Sequence, residues 1–173
     1  MSSTKKESSH ESVIFIQSKK GEKVFELNLK SAKFSKLLAN MFWDANSNII
    51  KSIVTSLDNP FKISEASDGN MNIIMDYLCK CGADGKEEDS PDKPLPRDTI
   101  PNIFKGNDYA IFRDILESKE SDTIKMNRIS TLITDISYFD MVKFREKAAA
   151  AMASLFVGKP IEEIRSMVEL DNN

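Results

Sequence analysis

Side chains able to do chemistry are few in this sequence and poorly placed for it. The one histidine is His10, within the Ser-, Lys- and Glu-rich stretch from Met1 to Glu11. Such a segment has nothing apolar to bury and is expected to be a disordered tail, residues 1–11, so a base there would have no fixed partner. The two cysteines are Cys79 and Cys81, spaced C-x-C. A disulfide between them is not expected on a helix, and a structural zinc site wants four nitrogen or sulfur ligands. Glycine-rich phosphate loops, a dinucleotide fingerprint and a Gly-x-Ser-x-Gly elbow are all absent from the sequence. Carboxylates are plentiful, but no pair stands out as an acid and base. The expectation is a protein that is not an enzyme, with no catalytic residue, no metal and no cofactor.

The bulk properties are those of an ordinary soluble globular protein. With 173 residues the chain can build one domain with a core. A hydrophobic fraction of 40% and a charged fraction of 29% fit a globular protein. The net charge of -3 gives no electrostatic reason to bind nucleic acid or an anionic membrane. No apolar run approaches the roughly 20 residues that span a bilayer, and Met1 to Glu11 lacks the apolar centre of a signal peptide. Free thiols fit a reducing compartment, so the cytoplasm and nucleus are the expected location.

The elements that would position a binding surface can be read along the chain. Ser12 to Gln17 is β-branched and aromatic and predicts a first strand. Gly21 serves the following turn, and Val24 to Leu29 alternates as a second strand with Phe25, Leu27 and Leu29 inward. Ser31 reads as the N-cap of a helix to about Phe42. Ile49, Ile50, Ile53, Val54 and Leu57 predict a second helix over Ser47 to Leu57. Phe61 to Ile63 is a short third strand, and Met71 to Cys81 a helix. Residues 82–98, rich in Pro, Gly and acidic side chains, read as a mobile loop. A helix is expected from Asn107, followed by a polar break at Glu117 to Asp122.

The last third is helical almost throughout. Ile124, Ile129, Leu132, Ile133 and Ile136 share a face. Asp140 reads as the cap of an Ala-rich helix, Met141 to Val157, ended by Gly158. Pro160 opens a final helix, Ile161 to about Leu170, with Ile161, Ile164, Met167 and Val168 along one side. Strands first and helices after make the class α+β, a small three-stranded sheet packed with helices. Apolar residues at helical spacing, such as Leu155, Phe156, Ile161 and Ile164, fit mutual packing as well as a partner groove.

Three segments together resemble the Skp adaptor family of Skp–cullin–F-box (SCF) ubiquitin ligases, whose fold is the BTB/POZ fold. Tyr138-Phe139-Asp140-Met141 opens the most specific segment, and Ala153 to Arg165, with its Gly158-Lys159-x-x-Glu162-Glu163-Ile164-Arg165 string, closes it. Ser12 to Phe42 is the second. The third gathers Pro60 to Ile63, Ile74 to Tyr77, the acidic loop and Ile100-Pro101. The sequence departs from the pattern where Asn102-Ile103 follows Ile100-Pro101 in place of Trp-Asp, and where Ile136-Ser137 precedes Tyr138 in place of Ala-Asn. Residues 43–59 and 105–123 look longer than the family's. Its final helix would follow Leu170.

The resemblance implies a BTB/POZ-like domain over 12–137 and a C-terminal helical F-box-binding extension over 138–173. It implies a non-catalytic adaptor in the ubiquitin conjugation pathway whose partners are an F-box protein and a cullin. Met141, Phe144, Leu155, Phe156, Lys159, Ile161, Ile164 and Arg165 fall in the F-box-binding region, and Tyr138 on the cullin side. The alternative is a BTB-like structural or self-associating module, including a homodimer, in an assembly without cullin.

Overall fold

The computed structural model describes residues 13–18, 21, 23–50, 55–63, 66–91, 104 and 108–169. Among them are three strands, β1 (Val13–Ser18), β2 (Val24–Asn28) and β3 (Phe61–Ile63). Seven helices accompany them: α1 (Leu29–Ala32), α2 (Lys36–Phe42), α3 (Asp68–Asp84), α4 (Asp108–Leu116), α5 (Asp122–Tyr138), α6 (Val142–Ser154) and α7 (Ile161–Glu169). The class is α+β, as the order of strands and helices implies. The tail with His10, the stretch holding Ile53 and Val54, and Ile100-Pro101 lie outside the described residues.

β1 is the central strand, antiparallel to β2 and parallel to β3. Its register places Ile14 opposite Leu27 and Ile16 opposite Phe25, so the inward residues of both strands meet in one layer. The helices cover that layer. One hydrophobic core runs from Ile14 and Leu27 through Leu38, Ile74 and Phe112 to Phe144, Leu155 and Met167. The C-terminal helices therefore share their core with the sheet. Tyr77 of α3 stacks on Phe144 of α6, and Phe112 of α4 sits against the same Phe144.

Several elements differ from the sequence reading. The expected helix from Ser31 to Phe42 is broken in two. Asn28 caps α1, accepting from Lys30 N at 2.8 Å, and Ser35 caps α2, accepting from Leu38 N at 3.2 Å. Ser35 Oγ also donates to the Phe139 carbonyl at 2.8 Å. A tertiary bond to the α5–α6 junction thus fixes the break.

Residues 44–50 form a turn, where a helix from Ser47 was expected. Asp44 Oδ1 accepts from Asn46 N and Asn48 N at 2.9 and 2.8 Å, and Ser47 takes φ 62°. A carboxylate that satisfies nearby backbone N–H groups competes with helix formation. Hydrogen bonds from the Asn48 backbone and amide hold the Asp44 carboxyl below its ordinary pKa. Ile49 then bridges to Trp43, and Ile49 and Leu57 are exposed.

Asp140 is not the cap of α6. It has φ 51°, its carboxylate reaches Lys36 at 3.3 Å, and Met141 takes the cap position with no side-chain hydrogen bond. Of the expected mobile loop over 82–98, residues 92–98 lie outside the described residues. Residues 82–84 belong to α3, Gly85 ends that helix at φ 68°, and residues 86–91 lie as a strap over α3 and α6. Pro91 at its end is buried.

Candidate partner-binding surface

The C-terminal segment is built from two helices and the turn between them. α6 carries alanines at 148–151, and Ala148, Ala150 and Ala151 are buried. Small side chains let a helix approach its neighbours closely at no cost in helix propensity. Residues 155–158 turn the chain, and Gly158 takes φ 77°, a left-handed conformation that a Cβ would strain. Pro160 then precedes α7, whose first turn carries Glu162 and Glu163 beside the positive end of the helix dipole.

A polar knot ties α7 to the start of α5. Lys159 Nζ lies 3.0 Å from Asp122 Oδ2 and also bonds Glu163 Oε1. Lys125 adds a contact to Asp122 at 3.6 Å and donates to the Leu116 carbonyl at 3.0 Å. The Lys159 ammonium is held above its usual pKa, first by its hydrogen bond to Glu163 and then by that to Asp122. The Asp122 carboxyl is held below its usual range, chiefly by the hydrogen bond from Lys159. Ser121 caps α5 and so sets Asp122 in its first turn.

The residues that the resemblance assigns to F-box binding divide into two groups. Met141, Phe144 and Leu155 are core residues, with Leu155 at 6% exposure. Phe144 packs against Tyr77 of α3 and Phe112 of α4, and none of the three offers surface in the chain as it stands. Phe156 and Ile164 are half-buried, while Ile161 and Arg165 are exposed. Lys159 is committed to Asp122 and Glu163, so its charge anchors α7. Tyr138, which the resemblance assigns to the cullin side, is 51% exposed and sits edge-on to buried Phe139.

The apolar stripe of α7 is covered along one edge only. At 100° per residue, Met167, Ile164, Val168 and Ile161 follow one another around the helix. Met167 is buried, Ile164 half-buried, and Val168 and Ile161 are 51% and 54% exposed. Val157, in the preceding turn, is exposed as well. Half of an amphipathic face therefore points to water beside a turn fixed by Gly158 and Lys159.

Sequence reasoning did not identify Asp122, the anchor of Lys159, because nothing local pairs residues so far apart. Two clefts elsewhere, of about 540 and 460 Å³, share Ile73, Ile115 and Arg128 as walls between α3, α4 and α5. Neither is lined by a residue of the proposed surface. Cys79 is exposed and Cys81 buried. Partial desolvation and then Asp76 raise the pKa of the Cys79 thiol, the reverse of nucleophile activation. No described helix is long and apolar enough to cross a membrane. No protein-family model matches this sequence, and no curated protein matches it at a significant level.

Proposed function

We propose that this chain is a non-catalytic adaptor of BTB/POZ type that joins an F-box substrate receptor to a cullin in an SCF-type ubiquitin ligase of the cytoplasm and nucleus. One observation carries the reading: the half-covered apolar face of α7, with Ile161 and Val168 open to solvent next to a rigid turn. An adaptor surface needs rigid helices, a few apolar anchors and a polar rim. Ile161 and Val168 are the anchors here, with Val157 and the edges of Phe156 and Ile164 beside them. Arg165 supplies an exposed charge at the rim. The Gly158-to-Arg165 string that resembles the Skp family lies on this same surface. Met141, Phe144 and Leu155 act from below, holding α6 and the turn in place.

Tyr138, exposed at the other end of α5 from Asp122, is the anchor assigned to cullin. Affinity purification of the full chain, read by mass spectrometry, should recover F-box proteins together with a cullin. Recovery of neither would end this reading. The second reading, a self-associating BTB-like module without cullin, draws on Ile136-Ser137 standing before Tyr138 in place of the family's Ala-Asn. Sedimentation of the purified chain as a dimer, with no cullin bound, would favour it.

A further inference from the structure

Two Asp-Gly dipeptides stand in this sequence, Asp68-Gly69 and Asp84-Gly85, one at each end of α3. Asp-Gly cyclises more readily than other aspartyl dipeptides, because glycine has no Cβ to keep its backbone nitrogen from the aspartyl carboxyl. The surroundings of the two differ. The Asp68 carboxylate is boxed in: Ser18 Oγ donates to its Oδ1 at 3.0 Å, and a Cβ built on Gly21 would sit 1.7 Å from that same oxygen. Ser67 caps the helix by accepting from Asn70 N at 3.3 Å, which fixes the turn that holds Gly69.

Asp84 has none of this. It is exposed, and among the described residues no hydrogen bond or ion pair holds its carboxylate. It is the last residue of α3, where a helix frays first. Gly85 follows at φ 68°, and a Cβ there would meet nothing within 4 Å, so nothing crowds the peptide as it turns. We propose that Asp84-Gly85 is an isoaspartate-forming site, and that its product is a substrate for a methyltransferase of the class that esterifies isoaspartyl carboxylates. In the first step a bond forms between Gly85 N and Asp84 Cγ, and a five-membered succinimide closes. The bond from Cγ to its hydroxyl breaks, and the hydroxyl leaves as water with the amide proton. Water then opens the ring at either carbonyl. Opening at the α-carbonyl leaves the chain running through Cγ, with a free α-carboxylate.

That product lengthens the backbone by one methylene between α3 and the strap at 86–91. The strap is tied to α3 by Tyr77 Oη, which donates to Glu87 Oε1 at 3.2 Å, and by Lys80 Nζ, 4.0 Å from Glu88 Oε1. From α6, Lys143 Nζ lies 3.3 Å from Asp89 Oδ1, and Ser90 Oγ donates to Glu146 Oε2. The left-handed Gly85 sets the direction in which the chain leaves α3 toward these contacts. An added backbone atom moves Glu87 and Glu88 out of register with Tyr77 and Lys80. The strap therefore loosens from its α3 end, while the contacts to α6, farther along the chain, persist longest.

The test holds the full chain at neutral pH and body temperature for several weeks, once native and once in denaturant. Proteolysis with electron-transfer fragmentation then assigns isoaspartate at each position. A purified isoaspartyl methyltransferase with S-adenosylmethionine reports the new carboxylate. In the native chain isoaspartate at 84 should exceed that at 68 on the order of tenfold, since the Ser18 bond to the Asp68 carboxylate must open first. In denaturant the two positions should convert alike. Asp84→Glu, which would need a six-membered ring, should lose most of the methyl acceptance of the native chain. Hydrogen exchange over 86–91 should rise severalfold in the converted fraction. Equal conversion at 68 and 84 in the native chain, or none at 84, would overturn the proposal. So would a preference for 84 that survives denaturant, an isoaspartate at 84 that takes no methyl group, or unchanged exchange over the strap.

Discussion

The ring of Tyr77 on α3 lies 3.9 Å, centroid to centroid, from the ring of Phe144 on α6, with the two planes within 6° of parallel. α3 belongs to the part of the chain expected to be a BTB/POZ-like domain, and α6 to the part expected to be its C-terminal helical extension. The stack packs the two parts against each other, so they should unfold together. Phe144→Ala should therefore cost about 3–5 kcal/mol, the usual range for removing a buried aromatic ring. Urea unfolding of the wild type and the variant should each show one transition. Two separated transitions would mean that the C-terminal helices fold on their own.

Ser35 should prove more sensitive than an ordinary cap. Its hydroxyl accepts from Leu38 N and donates to the carbonyl of Phe139, and it is fully buried. Ser35→Ala should destabilise the protein by about 2 kcal/mol, the upper end for a cap. Leu37 N also reaches the Phe139 carbonyl, at 3.3 Å, so that oxygen keeps a donor. Chemical denaturation measures the loss, and a change under about 0.5 kcal/mol would contradict the dual role.

Much of the fold is legible in the sequence. A β-branched and aromatic run marks β1, alternation marks β2, and helical spacing marks α3, α5 and α7. What is not legible is set by distant partners or by side chains that compete with the helix. The break before Ser35 answers to Phe139, which no local pattern announces. The turn after Asp44 follows from a carboxylate bonding the backbone of Asn46 and Asn48, while the apolar spacing of Ile49 to Leu57 suggests a helix. The strap at 86–91 has a loop's composition, yet Lys80, Lys143 and Glu146 hold it from other elements. At the candidate site, periodicity groups Ile161, Ile164, Met167 and Val168 on one side. It does not say which edge of that side faces water, because neighbouring helices decide that.

The docking of α7 should depend on pH at both extremes. Asp122 has a depressed folded pKa, so its contribution is present above its unfolded pKa and is lost as pH falls through the folded value. Lys159 has a raised folded pKa, so its contribution is present below its unfolded pKa and is lost as pH rises through the folded value. Hydrogen exchange in α7 should speed up below about pH 4 and again above about pH 10.5, near the ordinary values of these groups. Asp122→Asn should raise exchange in α7 severalfold at neutral pH and remove most of the acid-side effect. Exchange that ignores the substitution would show that apolar contacts of Met167 alone hold the helix.

Gly158 sets the angle at which α7 leaves the turn. A Cβ there would meet nothing within 4 Å, so the cost of Gly158→Ala comes from its φ of 77° alone. The loss should be about 1 kcal/mol of stability. Partner affinity should fall as well, since the turn orients Ile161. Thermal melting checks the first effect and binding titration the second. A neutral result in both would show that the turn relaxes freely.

Calorimetric titration can measure whether the open edge of α7 grips an F-box segment. Purified full chain would be titrated with a purified F-box segment, beside the double variant Ile161→Glu, Val168→Glu. Both positions are about half exposed, so the variant should keep its circular dichroism and melting behaviour. Leu155→Glu, by contrast, buries a charge in the core and should unfold the protein. The wild type should bind saturably, with a loss on the order of a hundredfold in the double variant, as expected for apolar anchors. No binding by the wild type, or equal binding by the folded double variant, would contradict it.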